Sequence, residues 1–266
     1  MTDLHIHTKF SPDGEAVADE FIELALLCNS SKIGFSEHFD LDYKYNNFSM
    51  VETNIAAYSK YIDELRLKYQ NRIEIFKGIE IGYAKRAEKE YIETLKKFDF
   101  DYVINSLHVP EGETDCYFLP YFASKDKQER YKKYFESVLV SLESKIDYQI
   151  VGHLGYVSRN APYIDPKIYY EDFSHIIDEI LKVIIEREVA LELNTNTKTA
   201  GYPFLPHTDI LKRYKELGGE NIVISSDAHQ VRRLYDKFEI AIKAAKELGF
   251  DKTCIFRKGK KFYREL

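Results

Sequence analysis

The sequence has no tryptophan, only three cysteines and no apolar run approaching the length of a membrane span. Cys28, Cys116 and Cys254 are odd in number and widely spaced, and they form no Cys-x-x-Cys pair. They read as reduced thiols of a cytoplasmic protein rather than as a disulfide framework. Met1 is followed at once by Asp3 and His5, which leaves no signal peptide, and the short apolar runs leave no membrane-spanning helix. A basic stripe is missing as well: the net charge of −6 argues against a broad nucleic-acid surface. It leaves room for a small phosphorylated metabolite, because bound divalent cations invert the local field. No low-complexity segment, Gly/Ser linker or repeat by residue identity interrupts the chain. What is present is a composition for a well-filled core, 44% hydrophobic with 21 Tyr and 17 Phe, over 266 residues. That length allows one large α/β domain or two small ones.

The most informative stretch opens the chain: Asp3-Leu-His-Ile-His-Thr, running on to Ser-Pro-Asp13-Gly. Leu4 and Ile6 alternate with His5 and His7, the period of a short strand, and residues i and i+2 of a strand share a face. Two neutral imidazoles aimed at a common centre about 2.1 Å away form half of a transition-metal site. An isolated His-x-His on an edge strand is just as readily a pair of surface histidines, so the weight falls on the remaining chain.

There, strands and helices alternate. Helical patterning covers 15–29, 49–70, 85–97, 125–145, 170–188, 208–217 and 231–248. Strand patterning covers 32–38, 73–80, 102–108, 148–153, 190–194, 222–229 and a last short piece at 254–256. Such alternation implies parallel pairing through right-handed crossovers. Seven or eight units predict a single α/β domain built as a distorted TIM-like barrel, with an open doubly wound sheet as the alternative.

Barrels of this kind carry their chemistry at the C-terminal ends of the strands. The ionisable residues predicted there are His5, His7, Glu37, His38, Glu80, His108, His153, Asp227 and His229, which include six of the eight histidines. Each has a plainer alternative. Glu37 and His38 could begin a helix, His108 could be a core histidine, and Asp13 in Ser-Pro-Asp-Gly is by default a turn residue. Glu80 between Ile79 and Ile81 is harder to dismiss, because an unpaired carboxylate in an apolar strand is expensive. Asp227-Ala-His229 repeats the i, i+2 spacing of the first strand. Arg159, beyond His153, is placed to fork onto phosphate oxygens, and Lys198 is a weaker candidate for the same work.

Taken in order, Asp-Leu-His-Ile-His-Thr at 3–8, Phe-Ser-Glu-His at 35–38, Gly-Ile-Glu at 78–80, Ser-Leu-His at 106–108, Gly-His-Leu at 152–154 and Ser-Asp-Ala-His at 226–229 resemble the polymerase-and-histidinol-phosphatase (PHP) superfamily of metal-dependent phosphoesterases. The resemblance is closest to its stand-alone histidinol-phosphate phosphatases and covers nearly the whole chain, 1–266, as one PHP-type domain. It implies a distorted (β/α)7 barrel holding two to three divalent ions (Zn, Mn or Fe). One ion would sit on His5, His7, Glu80 and Asp227, a second on Glu80, His108 and His153, and a third on Asp13, His38 and His229. Glu80 would bridge the first two, and Glu37 would orient an imidazole from behind.

The implied activity is hydrolysis of a phosphomonoester, L-histidinol phosphate in histidine biosynthesis, by a hydroxide bridging two metals, with Arg159 on the phosphoryl oxygens. Implied with it are a small phosphorylated metabolite as partner, no nucleic acid or membrane, and a monomer or small homo-oligomer. Two positions depart from the family pattern: many relatives carry a histidine where this chain has Asp13, and the arginine that commonly follows the strand ending at Asn194 is replaced by Asn-Thr-Lys198. The alternatives are a phosphodiesterase or exonuclease of the same superfamily, or a metal-binding barrel without turnover.

Overall fold

The computed structural model describes residues 1–41, 43–45, 48–49, 53–123, 126–198 and 201–266, with backbone only at 44–45 and 48–49. Among the described residues ten strands occur in chain order: β1 (Lys32–Phe39), β2 (Lys44–Tyr45), β3 (Phe48–Ser49), β4 (Glu74–Gly82), β5 (Tyr102–Ser106), β6 (Ile150–Val151), β7 (Ala190–Asn194), β8 (Ile222–Ser225), β9 (Lys252–Arg257) and β10 (Lys260–Glu265). Seven α-helices alternate with them: α1 (Ala18–Leu27), α2 (Ile55–Tyr69), α3 (Glu88–Leu95), α4 (Lys127–Leu142), α5 (Ser174–Glu186), α6 (Thr208–Glu216) and α7 (Phe238–Glu247). Helix positions follow the apolar periodicity closely. In α5, Ile177, Ile180, Leu181 and Ile184 are buried at the spacing of one helical face. The helices predicted from 49 and from 125 begin later, where Asn54 and Asp126 cap the first turns of α2 and α4; positions 50–52 and 125 lie outside the described residues.

Six strands pair in parallel in the order β1-β4-β5-β6-β7-β8. The N-terminal segment occupies the seventh position. Gly34 N–H donates to Asp3 O (2.8 Å) and Ser36 N–H to Ile6 O (2.9 Å) on one side, while His7 N–H donates to Ala228 O (2.9 Å) on the other. The sheet thus curls round to meet itself, as the (β/α)7 expectation requires.

The predicted first strand survives only as an isolated bridge, Ile6 to Ala228. The reason is an inserted residue: the acceptors Asp3 and Ile6 are three apart, whereas their donors Gly34 and Ser36 are two apart. This is the register of a β-bulge. Leu4 consequently faces the barrel interior with Phe76, Tyr102, Ile104, Ile150, Ala190 and Val223. Ile6 faces outward, packed in the larger cluster with the helices. The bulge turns His5 and His7 into the mouth without sending Leu4 to the surface.

Tyr102 ties this closure together inside the barrel, its hydroxyl donating to Leu4 O (2.5 Å) and Phe35 O (3.2 Å). Its ring fits because Gly78 has no side chain; a Cβ there would stand 2.2 Å from the ring. The piece predicted at 254–256 is longer than expected and lies outside the barrel sheet. It is β9 of an antiparallel β9–β10 hairpin, whose Cys254 and Phe256 cover the lower end of the inner cluster. Phe256 is 2% exposed, so Phe256→Ala should destabilise the chain by about 3–5 kcal/mol. An unchanged urea midpoint would show that the hairpin does not seal the barrel.

Candidate metal centre and active site

In β1, β4 and β7, inward residues change from small or apolar at the bottom to ionisable at the top. In β4, Phe76 and Gly78 are followed inward by Glu80, and in β7, Ala190 is followed by Glu192. His38 is aligned with Glu80 across the β1–β4 ladder. The result is a buried layer centred on the Glu80 carboxylate. Its Oε2 lies 3.3 Å from His5 Nε2, 3.4 Å from His7 Nε2 and 2.9 Å from His38 Nδ1. Its Oε1 lies 3.3 Å from His108 Nε2 and 2.9 Å from His153 Nε2. Asp227 Oδ1 stands 3.4 Å from His7 Nε2 and 3.7 Å from His5 Nε2.

Asp13 comes in over the top, with Oδ2 3.1 Å from His229 Nε2 and 3.6 Å from His38 Nε2. Every residue expected to ligate metal is therefore in one cluster. Strand geometry does not account for Asp227 and His229, however. β8 ends at Ser225, and Asp227 has a left-handed backbone (φ 48°), a region seldom occupied by residues with a side chain. Asn196 Nδ2 and His229 Nδ1 both donate to its carbonyl at 3.0 Å.

The proton positions follow from the groups behind the imidazoles. His5 Nδ1 is 2.6 Å from Glu192 Oε1, so it donates there and keeps the Nε2 lone pair for the cluster. His108 Nδ1 is bound likewise by Asp40 Oδ2 at 2.7 Å. His7 Nδ1 faces Ser11 Oγ at 3.2 Å, and Ser11 gives its own proton to Glu37 Oε2 at 2.6 Å. Glu37 therefore acts on an imidazole only through a hydroxyl; it also accepts from the Thr8 N–H and hydroxyl, which fastens the N-terminal segment to β1.

Glu192 and Asp40 were not singled out from sequence, yet both carried a signal. Glu192 lies between Leu191 and Leu193 in a strand, the same costly setting as Glu80. Asp40 lies two residues beyond His38 and so on the same face.

The donor chemistry fits divalent metal. His5 Nε2, His7 Nε2 and Glu80 Oε2 are buried without a hydrogen-bond partner in the structure, and they lie within 4.8 Å of one another; Glu80, His108 and His153 form a second such group. Burial and then His38 and His229 push His7 well below the usual imidazole range, which suits a neutral ligand. Burial opposes ionisation of Glu80, but the imidazoles of His5, His38 and His108 hold its carboxyl well below the usual range. His38 Nε2 and His229 Nε2 flank the Asp13 carboxylate. His7 is stacked between His38 and His229, with ring centroids 4.1 and 4.3 Å away.

The cluster forms the floor of a cavity of about 900 Å³. Arg159 enters it from the turn after β6, with 8% exposure. Its Nη2 lies 3.0 Å from both Asn194 Oδ1 and Asp227 Oδ2, its guanidinium covers Tyr156 at 4.9 Å, and Nε has no partner in the structure. Lys198 is at the exposed rim, with Nζ 3.0 Å from the Tyr117 hydroxyl. Of the two histidines assigned no role, His175 is exposed on α5 and His207 is buried at the start of α6.

A family model described as the PHP domain matches residues 3–196. The chain belongs to the PHP family. It is 33% identical to a protein of Clostridium acetobutylicum named "Probable histidinol-phosphatase", over 96% of each chain. It is 30% identical to a "Histidinol-phosphatase" of Lactococcus lactis, over 96% of this chain and 93% of the relative. A solved structure of the histidinol phosphate phosphatase of Lactococcus lactis, complexed with zinc, L-histidinol and phosphate, matches with a TM-score of 0.89. The match is 29% identical and covers 98% of both chains. Asp227 and His229 lie beyond the span matched by the PHP model, and the fold returns them to the same cluster as His5 and His7.

Glu192 sets the tautomer of His5, and its Oε2 accepts from His153 N–H and Asn194 Nδ2. Glu192→Gln should keep the fold and weaken zinc binding about 10- to 100-fold in a chelator competition, the usual effect of removing the carboxylate behind a ligating histidine. Unchanged affinity would make Glu192 a packing residue only.

Proposed function

We propose that this chain hydrolyses L-histidinol phosphate to L-histidinol and phosphate with the help of two to three divalent ions. One observation carries this reading: over 98% of its length the chain matches, with a TM-score of 0.89, an enzyme whose structure holds zinc, L-histidinol and phosphate. In this reading the whole chain, 1–266, is one functional domain, because Asp227 and His229 complete the site begun by His5 and His7. Ions would be held by His5, His7, Glu80 and Asp227, by Glu80, His108 and His153, and by Asp13, His38 and His229. When bound, they supply Lewis acidity and lower the pKa of water toward neutrality.

The remaining work falls to the protein. His5 and His108 keep their Nδ1 protons and donate them to Glu192 and Asp40, which fixes both Nε2 lone pairs inward. Asp227 and Asn194 hold Arg159 by a single terminal nitrogen, leaving the rest of the guanidinium for phosphoryl oxygens. That charge is worth most as negative charge redistributes during in-line displacement of the alkoxide. Tyr156 excludes water beside His108 and His153, its ring centroid 5.2 and 4.8 Å from theirs. Lys198, at the rim beside the Tyr117 hydroxyl, takes a secondary share of the phosphate.

A cytoplasmic site of action and a monomeric or small homo-oligomeric state go with this reading. Among the described residues no helix is long and apolar enough to cross a membrane. A panel of phosphorylated metabolites that includes L-histidinol phosphate tests the substrate, and p-nitrophenyl phosphate against its bis-ester tests monoesterase against diesterase action.

The purified protein should carry two to three divalent ions per chain, and chelation should abolish hydrolysis until metal is restored. Full activity in a metal-free preparation would refute the reading. Arg159→Ala should retain metal and fold while kcat/KM for phosphomonoesters falls about 30- to 1000-fold, the loss expected for one transition-state contact of about 2–4 kcal/mol. Arg159→Lys should recover only part, since lysine cannot supply the fork. A wild-type rate in Arg159→Ala would leave phosphate recognition to the metals and Lys198.

A further inference from the structure

Two strained residues in the segment after β8 have no part in the proposed reaction. Tyr235 and Lys237 both have left-handed backbones, with φ 61° and 57°, a region that residues with a side chain seldom occupy. Such a conformation persists where its neighbours over-determine it. Here Leu234, Tyr235 and Phe238 are all buried, and the Tyr235 and Phe238 rings meet edge to face at 5.3 Å. Lys237 is the residue that this anchoring presents, half-buried at the N-terminus of α7.

Its side chain reaches back to the loop that follows β7. Lys237 Nζ donates to Thr197 O (2.6 Å) and lies 3.5 Å from Thr195 O. Among the described residues no carboxylate lies within ion-pairing distance of it. The Thr197 N–H also donates to Thr195 O (2.9 Å), so the ammonium closes over a tight turn. A lysine that meets two carbonyls of one turn, in place of an acid, fixes main chain.

That turn leads to the phosphate side of the site. Its base is pinned where Asn194 and Leu205 exchange main-chain hydrogen bonds of 2.8 Å. Just above, Asn196 N–H donates to Asn194 Oδ1 (3.0 Å), the same oxygen that accepts from Arg159 Nη2 (3.0 Å). Asn196 Nδ2 donates to Asp227 O (3.0 Å), and Asn196, Thr197 and Lys198 line the reaction cavity. The turn therefore sets where Asn194 points, and Asn194 sets where Arg159 points.

We infer that Lys237 is a positioning residue for phosphate recognition: by holding the Thr197 carbonyl, with Thr195 O beside it, its ammonium fixes the turn through which Asn194 orients Arg159. The inference rests on the phosphomonoesterase reading above. Left-handed backbone favours glycine, so Lys237→Gly removes the ammonium while relieving local strain. Loaded with zinc, this variant should melt close to the wild type and keep its metal content. It should still bind inorganic phosphate about tenfold more weakly by calorimetry and lose about tenfold in kcat/KM for p-nitrophenyl phosphate, the lower end for a hydrogen bond to a charged group. Lys237→Arg, which can donate to both carbonyls, should recover most of both losses.

A double variant separates positioning from packing. In an Arg159→Ala background Lys237→Gly should cost much less than tenfold, because the group it positions is gone; a full additive loss would overturn the inference. Wild-type phosphate affinity in Lys237→Gly would overturn it as well. So would loss of bound zinc from that variant, which would place the effect at Asp227 instead. Wild-type protein that binds phosphate but hydrolyses no p-nitrophenyl phosphate would refute the phosphomonoesterase reading, while the difference in phosphate affinity would still decide the role of Lys237.

Discussion

The Glu80 carboxylate has five imidazoles within 2.9–3.4 Å of its two oxygens. Burying a charge in this way is tolerable only if everything around it is arranged to compensate. Much of the upper barrel follows from that requirement. His5 and His108 are fixed through Glu192 and Asp40, His7 is reached from Glu37 through Ser11, and Asp227 is restrained by Asn194 and Arg159. The cluster is rich in lone pairs and carboxylates and short of lysine. Within it His5 Nε2, His7 Nε2 and Glu80 Oε2 are left without a hydrogen-bond partner, the electrostatic condition that divalent cations satisfy.

The lower half of the barrel makes such a cluster affordable. Leu4, Phe76, Tyr102, Ile104, Ile150, Ala190 and Val223 fill the interior beneath the polar layer, and Cys254 and Phe256 close it from below. A dry floor lowers the local dielectric, which strengthens the interactions of the charged layer with any ion or phosphate it binds. Barrel closure and site assembly are the same event, because the segment that completes the ring carries His5 and His7. Asp3 fastens that segment to the end of β8 through the Ser226 N–H and hydroxyl and also accepts from His5 N–H. Burial pushes its carboxyl up to about 7.

The cavity above this floor has two chemical sides. Arg159 and Lys198 offer positive charge, while Asp115 offers a carboxylate held by neutral donors. These groups stand on loops above the cluster, so they can differ between barrels that keep the same floor.

The sequence alone determined the barrel class, the seven-fold alternation and which residues gather in the cluster around Glu80. The reason is local: strand period, helix period and the cost of buried charge all act over a few residues, so His5, His7, Glu80 and Asp227 stood out against their apolar neighbours. Tertiary structure decided the rest. The bulge that puts Leu4 and His5 on the same side depends on hydrogen bonds to Gly34 and Ser36, far along the chain. The left-handed turn at Asp227 and the hairpin partner of β9 likewise depend on contacts no local period reports. Glu192 and Asp40 acquired their roles only when folding placed them behind particular imidazoles. A carboxylate's function is set by which groups surround it in space, and those neighbours come from distant parts of the chain: His5 and Glu192 are 187 residues apart, Asp3 and Ser226 are 223.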